Sequence, residues 1–183
     1  QVIALRQHPD GNMSVLIRPE VTEDRDAIRR VNRDAFGGEA EANLVEALRD
    51  LGYVELSLVA EHDGRVVGHL LFSAIRVIAG STTLKALSLA PMAVLPEFQR
   101  SGIGTQLVEE GLQRCRESGH QIVLVLGHPE FYPKFGFAAE LARPIESPFG
   151  GGDAWMGLEL RPGALQGVQG RVEFSAPFMA LGS

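Results

Sequence analysis

Cysteine is almost missing from this chain: Cys115 stands alone among 183 residues. No internal disulfide can form, and stability must come from packing. Long apolar runs are missing too. Stretches such as Ile122 to Leu126 fall far short of the roughly 20 residues that cross a bilayer, so no membrane span is expected. The N-terminus has no apolar signal core, because Arg6, Gln7, His8, Pro9 and Asp10 interrupt Val2 to Leu5; a cytoplasmic location is the expectation. Basic runs are absent as well. The 17 Lys and Arg residues are scattered among 23 Asp and Glu, for a net charge of −6, which argues against nucleic acid as a partner and suits a cationic amine. Neither an internal repeat nor a low-complexity tract is present.

What remains is an ordinary globular composition, 45% apolar, long enough for one domain with a real core. Residues 1–12 precede Met13 and read as an N-terminal extension, leaving 13–183 as a single domain. A homodimer is the expectation on size alone.

Hydrophobic spacing orders the chain. Val15 to Arg18 reads as a short strand, followed by a helix carrying Ala27, Ile28, Val31 and Phe36, with Asp24 in its first turn. Gly37 and Gly38 break that helix, and Ala40, Leu44, Val45 and Leu48 form a second amphipathic segment closed by Gly52. Two β-branched stretches, Leu56 to His62 and Arg65 to Ile78, flank Asp63-Gly64, the dipeptide favoured in two-residue hairpins. A strand over Leu84 to Val94, a helix over Ile103 to Ser118 and an apolar strand over Ile122 to Leu126 give a βαβ unit with a parallel pair. The helix places Ile103, Leu107, Val108, Leu112 and Cys115 on one stripe, so Cys115 is expected to pack. A helical turn near Glu130 to Lys134, a mobile loop over Pro148 to Asp153, and strands around Trp155 to Leu160 and Arg171 to Phe174 complete the chain.

Chemistry concentrates in Gln99-Arg100-Ser101-Gly102-Ile103-Gly104-Thr105, between a strand and a helix. Glycines there let successive N–H groups converge, and the helix start adds unpaired donors with partial positive charge, a combination suited to pyrophosphate. A Walker loop would need a lysine then Ser or Thr after the second glycine, where Thr105-Gln106 stands. A dinucleotide fingerprint would need a small residue in place of Leu107 and an acid after the next strand, where Gly127-His128 follows. His62, His69, His120 and His128 show no metal-ligand spacing with Cys115.

Gln99, Gly102 and Gly104, with Met92-Ala93-Val94 and Pro96-Glu97-Phe98 upstream and Phe131-Tyr132-Pro133-Lys134-Phe135-Gly136-Phe137 downstream, resemble the coenzyme A loop and aromatic signature of the GNAT acetyltransferase family. The resemblance spans about Val15 to Phe174 and implies an α/β (α+β) fold: one mixed, mostly antiparallel, twisted sheet of six to seven strands with a splayed parallel pair, and about four helices. It implies acetyl-CoA as cosubstrate, held by the backbone of Met92, Ala93 and Val94 and by Gln99, Arg100, Ser101, Gly102, Ile103, Gly104 and Thr105. It implies an amine-bearing acceptor and Tyr132 as general acid. Pro91, lacking a ladder donor, fits a bulge in the strand. Where several relatives carry a strand glutamate, this chain has Ser88; Glu39, Glu41, His128 or a water chain are the alternative bases. A module that senses acyl-CoA without turnover is the alternative function. Trp155 is expected to pack a late strand, with a place in the acceptor pocket beside the Pro148 to Asp153 loop as the alternative.

Overall fold

The computed structural model describes residues 13–182, so the proposed extension over 1–12 lies outside the described residues. Strand β1 (Leu16–Pro19) leads through a 3-10 turn into α1 (Arg25–Phe36). That entry is set by Asp24, whose carboxylate accepts the Val21 N–H at 2.7 Å and two bonds from Arg18 of β1 at 2.7 and 2.9 Å. The Arg18 guanidinium holds the Asp24 carboxyl below its ordinary value. Gly37, at φ 75°, ends α1 in the left-handed conformation, and α2 (Ala40–Asp50) follows. Strands β2 (Val54–His62) and β3 (Arg65–Ala79) form the expected hairpin. Asp63 and Gly64 both have positive φ, 47° and 78°, as a type I′ turn requires.

Next come β4 (Thr82–Val94), α3 (Ile103–Glu117), β5 (Ile122–Leu126), a 3-10 turn at Tyr132–Phe135, α4 (Ala139–Ala142), β6 (Ile145–Glu146), β7 (Trp155–Glu159), β8 (Gly170–Glu173) and α5 (Ala176–Met179). The sheet order is β1-β2-β3-β4-β5-β7, with β8 also pairing β3 and β6 pairing β8. The β4–β5 and β6–β8 pairs are parallel and the rest antiparallel. The described residues thus hold eight strands and five α-helices, slightly more than expected. The additions, β6 with two residues and α4 and α5 with four each, are too short to imprint a period on the sequence, and the turn expected near Glu130 to Lys134 is the 3-10 turn at Tyr132–Phe135.

Side-chain alternation along β3 divides the core. A Cβ at Gly68 would meet Leu107 and Ile103, and one at Gly111 would meet Phe72 and Leu70; Gly68, Leu70 and Phe72 therefore face α3, which lies close against the sheet. Cys115 joins that core at 1% exposure, and burial, with the nearby Glu55 charge, pushes its thiol up to about 12, as an inert packing cysteine requires. Leu71 packs on the opposite face with Ile28 of α1 and Leu44 and Leu48 of α2. His69 faces the same side, fully buried. Its Nδ1 accepts from Asn32 Nδ2 at 3.1 Å, so its Nε2–H donates to Ser57 Oγ at 2.9 Å.

Burial, with the Arg49 charge second, pushes the His69 imidazole down to about 3 from 6.5. Below pH 6.5 the unfolded chain takes up a proton that the folded state refuses, so stability falls on acidification toward pH 3. Chemical denaturation at pH 7 and pH 4.5 is expected to show the advantage of wild type over His69→Asn shrinking, at a limiting slope of about 1.4 kcal/mol per pH unit.

Candidate active site

Strand β4 and its parallel neighbour part company after two residue pairs. Leu87 faces Val123 and Ser88 faces Leu124, after which β5 continues against β7 alone. On the β3 side the register steps from Leu70↔Met92 to Phe72↔Leu89, so Ala90-Pro91 forms a bulge, as Pro91 suggested. From Leu89 to Val94 the second edge of β4 has no strand partner, and N–H and C=O groups directed there open onto a gap. A groove of about 1070 Å³ passes through it, bounded by residues of β4, the α1–α2 side, the start of α3, and the segment after β5.

On the α3 side the groove meets the glycine loop. Arg100 and Gly102 have φ of 59° and 83°, turning the chain so that α3 opens with its first N–H groups unpaired. Gly104 keeps the floor low, since a Cβ there would lie 3.3 Å from Met92 Cε and 3.6 Å from Phe131 Cζ. Lys134 Nζ donates to Thr105 Oγ1 at 2.9 Å and lies 4.3 Å from the Phe131 ring centroid. Two cations, Arg100 and Lys134, and one helix start therefore face the same end of the groove, which fits a polyphosphate.

Met92, Ala93, Val94, Gln99, Arg100, Gly102, Gly104, Thr105 and Tyr132 all line the groove; Ser101 and Ile103 do not. Ile103 is 1% exposed, packed in the core. The Ser101 hydroxyl donates to the Phe98 carbonyl, and its own carbonyl accepts the Met13 N–H at 2.8 Å. Gln99 also braces the loop, its Nε2 donating to the Val94 carbonyl at 2.9 Å.

Tyr132 closes the groove beyond β5. Its ring packs edge-on to Phe131 and Phe137, centroids 5.0 and 5.6 Å away, and covers Gly127, where a Cβ would sit 2.3 Å from Tyr132 Cε2. Burial pushes its phenol up to about 12, so at neutral pH it holds its proton.

Of the candidate bases, Glu41 and His128 line the groove. Glu39 does not, and its carboxylate is paired with Arg29 at 2.8 Å. Ser88 is 4% exposed at the last paired position before the strands diverge. Among the described residues no cluster of His, Cys, Asp and Glu could hold a metal ion, and no helix is long and apolar enough to cross a membrane. Trp155 packs as expected: it is 3% exposed, and its Nε1–H donates to the Ile145 carbonyl at 2.9 Å. The loop over residues 148–153 borders a separate cavity of about 800 Å³. Sequence reasoning missed Phe178 and Leu181, which reach the groove from the C-terminal segment, and gave Lys134 no role although it lies within the aromatic signature.

The chain belongs to the GNAT acetyltransferase family: residues 17–139 match the family's acetyltransferase (GNAT) domain. Over 166 residues it is 36% identical to the uncharacterized N-acetyltransferase YhbS of Escherichia coli, a match covering 90% of this chain and 98% of the relative. The crystal structure of E. coli YhbS in complex with CoA superposes with a TM-score of 0.84 at 35% identity, covering 94% of this chain and 96% of that one. A GNAT family acetyltransferase from Brucella melitensis in complex with acetyl-CoA gives 0.75 at 34% identity, covering 90% and 98%.

Because the Tyr132 ring occupies the space above Gly127, Gly127→Ala is expected to displace it. Urea denaturation should show a loss of about 1–3 kcal/mol, the usual cost of overpacking; an unchanged midpoint would mean that the ring has room to move.

Proposed function

We propose that this protein transfers the acetyl group of acetyl-CoA to a primary amine by direct attack on the thioester. The observation that carries the reading is one groove, through the β4–β5 gap, that joins an anion cradle on the α3 face to a protonated, buried phenol. Its relatives crystallised with CoA and acetyl-CoA support the same cosubstrate here. Arg100, Lys134 and the first N–H groups of α3 hold the pyrophosphate. The open backbone edge of Met92, Ala93 and Val94 pairs with the pantetheine arm, and a main-chain N–H there polarises the carbonyl.

The amine lone pair forms the new C–N bond as the C–S bond breaks. The departing sulfur takes the Tyr132 proton, and the proton shed by the amine nitrogen, through water or through Glu41 or His128, restores the phenol. The products are an acetamide and free CoA thiol. Ser88, in place of an acid, favours one second reading, an acyl-CoA sensor without turnover.

Two variants separate these readings. Tyr132→Phe is expected to lower kcat by about 10²–10⁴-fold while calorimetry shows an unchanged acetyl-CoA Kd. The double variant Gly102→Glu, Gly104→Glu, which sets carboxylates where phosphates would lie, is expected to abolish acetyl-CoA binding. Tight binding by wild type with no transfer to any amine would favour the sensor, and no binding by wild type would overturn both.

A further inference from the structure

Large apolar side chains left in solvent are distributed unevenly over this molecule. Three of the seven among the described residues, Phe36, Leu126 and Leu181, at 45%, 46% and 43% exposure, line the groove. They come from three separate places: the end of α1, the end of β5 and the C-terminal segment. Apolar surface gathered in a concavity from distant parts of a chain marks a binding site.

The groove is divided by charge. Its cations, Arg100 and Lys134, lie at the cradle end, and Glu41 is its only carboxylate among the described residues. Arg29 lies between Glu39 and Glu46, pairing with them at 2.8 and 3.0 Å, yet the Glu41 carboxylate makes no ion pair or hydrogen bond with the described residues. It is half-buried on the first turn of α2. Behind it, Leu44 and Phe178 belong to one buried cluster against which Ala90 packs, so this end of the groove has an apolar floor.

We propose, on the basis of the acetyltransferase reading, that the acceptor is a small monoamine whose nitrogen is carried on an apolar body. Glu41 receives its ammonium group, and Phe36, Leu126 and Leu181 cover the body. A polyamine or aminoglycoside would bring several ammonium groups to a groove that offers one carboxylate and, at its far end, two cations; each surplus charge would be desolvated without a partner. A peptide would need a polar track for its backbone, and the floor beneath Glu41, formed by Leu44, Phe178 and Ala90, supplies none.

The test is steady-state kinetics at saturating acetyl-CoA with ethylamine, butylamine, hexylamine, spermidine and a tripeptide with an N-terminal phenylalanine. kcat/KM is expected to rise along the alkyl series, by up to about fourfold for each covered CH₂, with hexylamine ahead of spermidine and of the tripeptide. The pair Phe36→Ser and Leu181→Ser, both at exposed positions, should flatten that rise. Glu41→Gln should raise KM for each alkylamine roughly tenfold, leaving the melting temperature and the calorimetric acetyl-CoA Kd in place, and Glu41→Asp should restore part of the loss. A flat alkyl series, faster turnover of spermidine or the tripeptide, or a Glu41→Gln effect confined to kcat would overturn the proposal while leaving the acetyltransferase reading intact. Failure of wild type to bind acetyl-CoA would overturn both.

Discussion

The separation of β4 from β5 is the constraint on which the rest of the molecule depends. Interior strand edges are normally satisfied by a neighbouring strand, and open edges are usually shielded. Here the bulge at Ala90-Pro91 turns β4 while β5 holds its full register with β7, and six residues of β4 lose one partner in the middle of the sheet. The surrounding structure supports that opening from both faces: α3 lies hard against β3 through Gly68 and Gly111, and α1 and α2 cover Leu71 opposite.

Chemistry in the gap follows from unequal environments at its two ends. The cradle end collects positive charge from Arg100, Lys134 and the α3 dipole. Beyond β5, the buried Tyr132 phenol keeps its proton at neutral pH, because desolvation disfavours its charged form. The far end is apolar and, among the described residues, carries a single acid, Glu41. No residue is unusual by itself; position along one groove separates their environments.

Local signals in the sequence proved readable and long-range ones did not. Asp63-Gly64 defines a turn by its own dihedral preferences, the α3 stripe declares its buried face, and the glycine loop shows as the turn that opens α3, because those properties belong to adjacent residues. The division of that loop was hidden: Ser101 and Ile103 sit in the same motif as Gly102 but turn away from the groove. Which acid stays unpaired was hidden as well, since Glu39, Glu41 and Glu46 look alike until Arg29 is seen to bind the outer two. Phe178 and Leu181 reach the groove across most of the chain, and no periodicity records such an encounter.

Met13 shows how far the loop's conformation depends on distant residues. It is 3% exposed; its N–H bonds the Ser101 carbonyl at 2.8 Å, and its own carbonyl accepts from Gln106 Nε2 at 3.0 Å, so it clasps the turn on both sides. Coupling of this kind is reciprocal. A ligand that tightened residues 99–105 would tighten the hold on Met13 as well, so the chain just ahead of β1 acts on the loop through Ser101 and on the first turns of α3 through Gln106.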